Sequence, residues 1–177
     1  MKEVIQEALK LSKEGEPCVL ATVVRTKGST PQKAGAMLLV RQDGSGVGTL
    51  GGGCVEGDIW FAAKEILRQQ GGPEFKNYYL NEDIAARDGL VCGGTMYFFL
   101  EPLRETQDFS AIGDELIAAY EGGDAVSLAT VVNVPEGGDN LGAKLLLRLD
   151  GSVTGTLGRP DLDRQAVQIA QRVGELG

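Results

Sequence analysis

The same blocks of sequence occur twice along this chain, in the same order. LATVV stands at residues 20–24 and again at 128–132, and GAMLLVR at residues 35–41 is matched by GAKLLLR at 142–148. GTLG follows in both stretches, at an offset of 107 residues against 108 for the first block. Several ordered blocks at a near-constant offset predict two copies of one structural unit. This constrains the fold strongly, because both copies need the same elements.

Both copies show the same order of apolar patterns. In the first copy, helical spacing at residues 4–11 precedes apolar runs at 18–24 and 36–41, which are typical of buried strands. An Asp-Gly turn leads to a short GTLG strand, and a second helix is predicted near residues 59–70. The corresponding segments of the second copy are residues 112–120, 125–132, 143–149 and 166–173. We expect a mixed α/β (α+β) fold in which two helix-strand-strand-helix units pack on a shared, mainly mixed sheet.

Only the first copy continues into two further predicted strands, at residues 75–80 and 95–101. We place the first unit at residues 1–105 and a degenerate second copy at 106–177, and we expect the two to pack as one domain. The second copy has no equivalent of the two extra strands. Its sheet is therefore expected to accept strands from a partner, since an open strand edge is available for pairing.

Charge and histidine content exclude several functions. The chain has 17 basic and 25 acidic side chains, a net charge of −8, which disfavours binding to nucleic acids and to anionic membranes. It has no histidine, so catalysis by a Ser-His or Cys-His pair is excluded. Three cysteines and a charged N-terminal sequence without an apolar signal segment favour a cytoplasmic protein without disulfides.

Three glycine-containing segments occur only in the first copy, so the second copy serves as an internal control. The first segment is GSTP at residues 28–31, which follows Lys27. Backbone N–H groups and hydroxyls in such a turn can bind an anion, and a lysine adds charge. The alternative is an ordinary turn with solvated charges. The binding candidates are Lys27, Gly28, Ser29 and Thr30.

The second segment, GGGCVEGD at residues 51–58, lies between a predicted strand and a helix. Consecutive glycines let a ligand approach the backbone, and a helix N-terminus favours anions and thiolates. The pattern differs from the glycine motifs of dinucleotide and ATP sites. The alternative is a packing loop with a buried cysteine and an acidic helix start. The candidates are Gly51, Gly52, Gly53, Cys54 and Glu56.

The third segment, GLVCGGT at residues 89–95, again places a cysteine beside a glycine pair. Its candidates are Cys92, Gly93 and Gly94, and the alternative is a tight turn into a strand. Cys18 lies within a strand-like run and is predicted to be a buried apolar residue. A thiolate from Cys54 or Cys92 can ligate a thiophilic metal carried by a cofactor, and it is also a nucleophile for sulfur transfer.

The strings ATVVRTKGSTPQKAGAMLLV, GTLGGGCVEGD and GLVCGGTMYFFLEP resemble the N-terminal region of the XdhC/CoxI family. Its members are accessory proteins of xanthine dehydrogenase and related molybdenum hydroxylases. The resemblance implies binding of molybdenum cofactor, help with its sulfuration, protection from oxidation, and delivery to the apo-hydroxylase. Members typically carry a C-terminal Rossmann domain that this sequence lacks, so we expect a truncated or single-domain member.

The resemblance also implies roles for individual residues and partners. The family's cysteine motifs fall on Cys54 and Cys92, which are the expected molybdenum ligands, with Cys92 preferred. The cofactor is expected to be transient cargo, so we predict an insertion factor and not an enzyme. The expected partners are a xanthine-dehydrogenase-like hydroxylase, a cysteine desulfurase and a second copy of the chain. The alternatives are an interaction module without cofactor binding and a thiol-based sulfur-transfer protein using both cysteines.

Overall fold

Two units, each with its own sheet, make up the chain. The computed structural model describes residues 1–80, 93–104, 107–135 and 138–174. The units are Met1–Thr106 and Gln107–Gly177. The predicted packing of both units as one domain stays a prediction.

The first unit is built on a five-stranded antiparallel sheet. Strand order is β3-β2-β1-β5-β4, so β1 is central and pairs antiparallel with both β2 and β5. The elements are α1 (Lys2–Glu14), β1 (Cys18–Lys27), β2 (Met37–Arg41), β3 (Gly46–Gly48), α2 (Gly53–Gln69), β4 (Glu74–Tyr79) and β5 (Thr95–Leu103).

Apolar alternation along β1 explains how this sheet is covered. Val19, Ala21 and Val23 are fully buried in one cluster with residues of α2. Leu20 alternates with them, so its side chain points to the opposite face of the sheet, and it is also buried. Both faces of the central strand are therefore shielded, and α1 contacts β1, β2 and β3.

The second unit has a three-stranded antiparallel sheet in the order β6-β7-β8. Leu145, Leu147 and Leu157 form its core, against which Ala166 and Ala170 of the last helix pack. The elements are α3 (Gln107–Tyr120), β6 (Val126–Thr130), β7 (Lys144–Arg148), β8 (Val153–Gly155) and α4 (Pro160–Gly174).

The mixed α/β class is confirmed, but the expected shared, mainly mixed sheet is wrong. The described strands form two sheets, and every pairing in them is antiparallel. Strands joined by short turns pair antiparallel, whereas parallel pairing needs a long crossover. The short third strand also differs from the predicted GTLG strand at residues 48–51, because β3 is Gly46–Gly48 and residues 49–51 form the loop that follows.

Within the described ranges, no helix is long and apolar enough to span a bilayer.

Candidate functional site

Two of the three glycine segments pack directly against each other. Pairing of Lys27 with Thr95 on β1 and β5 brings the loop after β1 beside the residues before β5. A Cβ atom added to Gly28, whose φ is +75°, would lie 3.2 Å from the Cα of Gly94. A Cβ atom on Gly94 would lie 2.6 Å from the Lys27 carbonyl oxygen and 2.8 Å from Cγ2 of Thr30. The contact therefore requires glycine on both sides.

The second glycine segment, at residues 51–58, also packs against the GSTP turn. A Cβ atom on Gly51 would lie 2.7 Å from the Cβ of Pro31, so the glycine loop packs on the GSTP turn. Gly52 and Gly53 follow with φ values of +73° and +67°, and a Cβ atom on either would meet nothing within 4 Å. Their backbone thus lies open next to the first turn of α2. The described parts of all three segments meet at one end of the five-stranded sheet.

Glu56 holds the glycine loop in place. Its Oε2 atom accepts hydrogen bonds from the Thr49 hydroxyl at 2.6 Å, the Leu50 N–H at 2.7 Å and the Gly52 N–H at 3.2 Å. Burial raises the pKa of this carboxyl, but the three hydrogen bonds together outweigh it, and the pKa of Glu56 is lowered from its ordinary value. The carboxylate therefore fixes the loop conformation, and its direct contact with a cofactor stays a prediction.

Cys54 is the second residue of α2 and is exposed. It lies near Tyr78 of β4, as does Asp58, which stands one turn further along the helix. Burial raises the pKa of Tyr78, and the charges of Asp58 and Cys54 raise it further. Cys18 differs completely: it is fully buried, and burial raises the pKa of its thiol to about 12. The prediction that Cys18 is an apolar core residue is confirmed.

The basic and hydroxyl groups of the GSTP turn have distinct surroundings. Lys27 and Ser29 are exposed, as an anion-binding role requires. The guanidinium of Arg25 lies 5.6 Å from the ring centre of Tyr97, a cation–π contact. The Thr30 hydroxyl donates a 2.9 Å hydrogen bond to the Gln32 carbonyl oxygen, so its proton is used within the turn.

Cys92, the preferred ligand, lies outside the described residues. Gly93 is exposed and Gly94 is buried. Among the residues that the structure describes, no three cysteine or carboxylate side chains form a metal-binding group. Metal ligation by Cys54 and Cys92 therefore stays a prediction.

Sequence analysis considered Asp58 only as part of an acidic helix start and did not select Tyr78, so neither was a candidate site residue. Asp58 stands four residues after Cys54, a spacing that places two side chains on one face of a helix, and this signal was available. Tyr78 gave no local signal, because only the pairing of β4 with β5 brings it beside α2.

Comparison with known proteins identifies the family of the chain. The model of the XdhC and CoxI family matches residues 11–78 and 119–177, which is most of the chain. The chain therefore belongs to the XdhC and CoxI family, and the resemblance drawn from its motifs is confirmed.

Similar proteins include two from Escherichia coli K12. The chain is 37% identical to the uncharacterized protein YqeB over 97 residues, which cover 55% of this chain and 18% of that protein. It is 31% identical to the molybdenum cofactor insertion chaperone PaoD over 124 residues, which cover 65% of this chain and 36% of that protein. The chain thus spans about a third or less of these curated relatives.

A solved structure has a similar fold. The crystal structure of a xanthine dehydrogenase from Bacillus halodurans matches with a TM-score of 0.63 and 25% sequence identity. The match covers 85% of this chain and 44% of that one.

Proposed function

We propose that this chain binds molybdenum cofactor as transient cargo and assists its sulfuration and insertion into a xanthine-dehydrogenase-type hydroxylase. The observation that carries the proposal is the meeting of the described parts of three glycine segments at one end of the sheet, beside the exposed Cys54. Family membership and the likeness to PaoD, a molybdenum cofactor insertion chaperone, support it.

The residues present fit the chemistry of this cargo. Molybdenum cofactor combines a phosphate, a pterin and a dithiolene-bound metal. Lys27, the Ser29 hydroxyl and the N–H groups of residues 28–30 suit the phosphate, and the open backbone of Gly52, Gly53 and Gly93 suits a flat pterin. Gly51 and Gly94 hold the loops together. Thiolates of Cys54 and Cys92 would supply soft ligands to molybdenum. One or two such ligands suit a carrier, because it must release its cargo.

We further infer that the two units are copies of one ancestral unit, of which only the first carries the site. Equivalent contacts support this. The hydrogen bonds of Glu56 to Thr49 and Leu50 recur at an offset of 107 residues: Asp163 accepts from the Thr156 hydroxyl and the Leu157 N–H, both at 2.7 Å. In this interpretation Glu56 belongs to the shared scaffold, whereas Cys54 has Asp161 at its equivalent position.

The test is transfer of cofactor to an apo-enzyme. The chain is loaded anaerobically with sulfurated molybdenum cofactor and mixed with apo-xanthine dehydrogenase, and the appearance of xanthine oxidation is measured. We expect Cys54→Ser and Cys92→Ser each to lower the activation at least about tenfold, since each removes a soft ligand. Asp161→Ser is the matched control in the second unit and should activate like the wild type. Equal activation by the Cys54→Ser/Cys92→Ser double variant would contradict the proposal.

A further inference from the structure

We propose that Arg25 and Lys27 form a receptor for a phosphate monoester on the face of the first sheet opposite α2, and that Tyr97 holds the Arg25 guanidinium in place. This inference rests on the proposed function, in which the monoester is the phosphate group of the molybdenum cofactor. It adds Arg25 and Tyr97 to the residues of the candidate site.

A β-bulge in β1 brings the two cations onto one face of the sheet. Val23 is buried on the side of α2, and strict alternation would turn residue 25 the same way. The pairing of β1 with β5 instead shifts its register between Val23 and Arg25, so that Arg25 lies opposite Tyr97. One extra residue reverses the alternation, and Arg25 and Lys27 therefore both face away from α2, about 7 Å apart along the strand.

Aromatic side chains on this face hold the guanidinium. The Cζ atom of Arg25 lies 5.6 Å from the ring centre of Tyr97. The Tyr97 ring in turn stacks on the ring of Phe75, with the ring centres 6.1 Å apart and the planes inclined by 22°. The cation–π contact restricts the orientation of the guanidinium before a ligand arrives, which lowers the entropic cost of binding.

The N–H donors of the two cations are available to a ligand. Arg25 and Lys27 are exposed, and within the described part of the chain no hydrogen bond or ion pair engages either side chain. Arg41, by comparison, is paired with a glutamate. The acidic residue of β5 that shares this face, Glu101, stands four residues after Tyr97, about 13 Å along the strand.

The chemistry of this pair of cations favours a doubly charged anion. A planar guanidinium donates two parallel N–H bonds to a phosphate, and the lysine ammonium adds a second charge. A phosphate monoester carries about 1.5 to 2 negative charges at pH 7, whereas a carboxylate carries one. The second unit has Asn133 and Pro135 at the positions equivalent to Arg25 and Lys27, so neither cation belongs to the repeated scaffold.

The probe is inorganic phosphate, and the readout is the ¹H–¹⁵N NMR spectrum of the full 177-residue chain at neutral pH. We expect saturable shifts of the Arg25 Nε–H resonance and of the backbone N–H resonances of residues 27–29. Acetate at matched ionic strength is the control for a singly charged carboxylate, and it should bind at least about tenfold more weakly.

Substitutions separate the roles of the guanidinium and of the ring. Arg25→Lys keeps the charge but loses the two parallel N–H bonds, and should bind phosphate about tenfold more weakly. Arg164→Lys, at an exposed arginine of α4, is the matched control and should bind like the wild type. Tyr97→Leu should weaken binding about threefold, and Tyr97→Phe, which keeps the ring, should retain the binding that Tyr97→Leu loses.

Three results of the phosphate titrations would overturn the proposal. They are the absence of saturable shifts, equal binding of acetate and phosphate, and equal phosphate binding by Arg25→Lys and the wild type. Equal molybdenum retention by these two chains at limiting cofactor would also overturn it, and would leave the proposed function intact. A wild type that binds phosphate through Arg25 but retains no molybdenum would instead contradict the proposed function, and the phosphate receptor would stand.

Discussion

Glycines, which have no Cβ atom, allow the loops of the candidate site to pack closely against each other. Gly28 and Gly94 come together where β1 ends and β5 begins. A Cβ atom on Gly94 has no room, and one on Gly28 would be crowded at 3.2 Å from the Gly94 Cα and strained by a φ of +75°. Gly94 is the more constrained of the two, because carbonyl oxygens of Lys27 and Ser29 both face it. A substitution there must displace backbone, which is costlier than moving a side chain.

Gly94→Ala is therefore predicted to lower the free energy of unfolding by about 1–3 kcal/mol and to weaken cofactor binding, because the two loops must separate. Urea denaturation and a cofactor titration measure the two effects. Gly93→Ala is the neighbouring control, since a Cβ atom there meets no described atom within 4 Å. Equal losses in both variants would contradict this account of the contact.

The Glu56 carboxylate stabilises the glycine loop only when it is ionised. Its pKa is lowered from the ordinary value of 4.5 in the folded chain. The stabilisation is therefore present above pH 4.5 and is lost as the pH falls through the lower pKa of the folded state. We predict that Glu56→Gln is less stable than the wild type by about 1 kcal/mol at pH 7. Urea denaturation from pH 7 to pH 3 should show this difference shrinking; a difference independent of pH would contradict the assignment.

Among the secondary-structure elements, each unit uses one Arg–Glu pair to attach its first helix to its second strand. Arg41 of β2 contacts Glu7 of α1 at 2.9 Å, with side chains 26% and 23% exposed. Arg148 of β7 makes the equivalent contact with Glu115 of α3 through two hydrogen bonds. Both arginines also contact a serine of the following turn, Ser45 or Ser152.

Glu7→Gln and Glu115→Gln should each destabilise the chain by about 0.5–1 kcal/mol, because partly exposed ion pairs are screened by water. Denaturation of the single and double variants tests this. The two effects should add, since the pairs lie in separate units. A loss in only one unit would argue against equivalent roles.

Local sequence patterns predicted where the helices and strands lie better than they predicted which strands pair. The apolar run at residues 18–24 indicated β1, and the Asp-Gly turn indicated the β2–β3 connection, because both signals act between near neighbours. The expected shared sheet failed since the choice of strand partner depends on distant contacts. The start of α2 was also missed: the glycines at residues 51–53 read as loop, although Gly53 already belongs to the helix.

At the scale of the whole molecule, comparison of the two predicted copies selected the segments of the candidate site but not their arrangement. Residues 28–31, 51–58 and 89–95 were selected because the second copy lacks them. The described parts of these segments meet because Lys27 pairs with Thr95 and Gly51 packs against Pro31, which no local pattern encodes. The offset of 107 residues also pairs Glu56 with Asp163, and both carboxylates accept hydrogen bonds from a threonine hydroxyl and from the N–H of the next residue.

The central claim is that the glycine segments and their cysteines bind molybdenum cofactor. Its most direct test is anaerobic titration of the 177-residue chain with the cofactor, followed by gel filtration and elemental analysis of molybdenum per chain. The account predicts retention close to one molybdenum per chain, with clear loss in Gly94→Ala and in the Cys54→Ser/Cys92→Ser double variant and no loss in Gly93→Ala. No retained molybdenum, or equal retention in all of these variants, would contradict it.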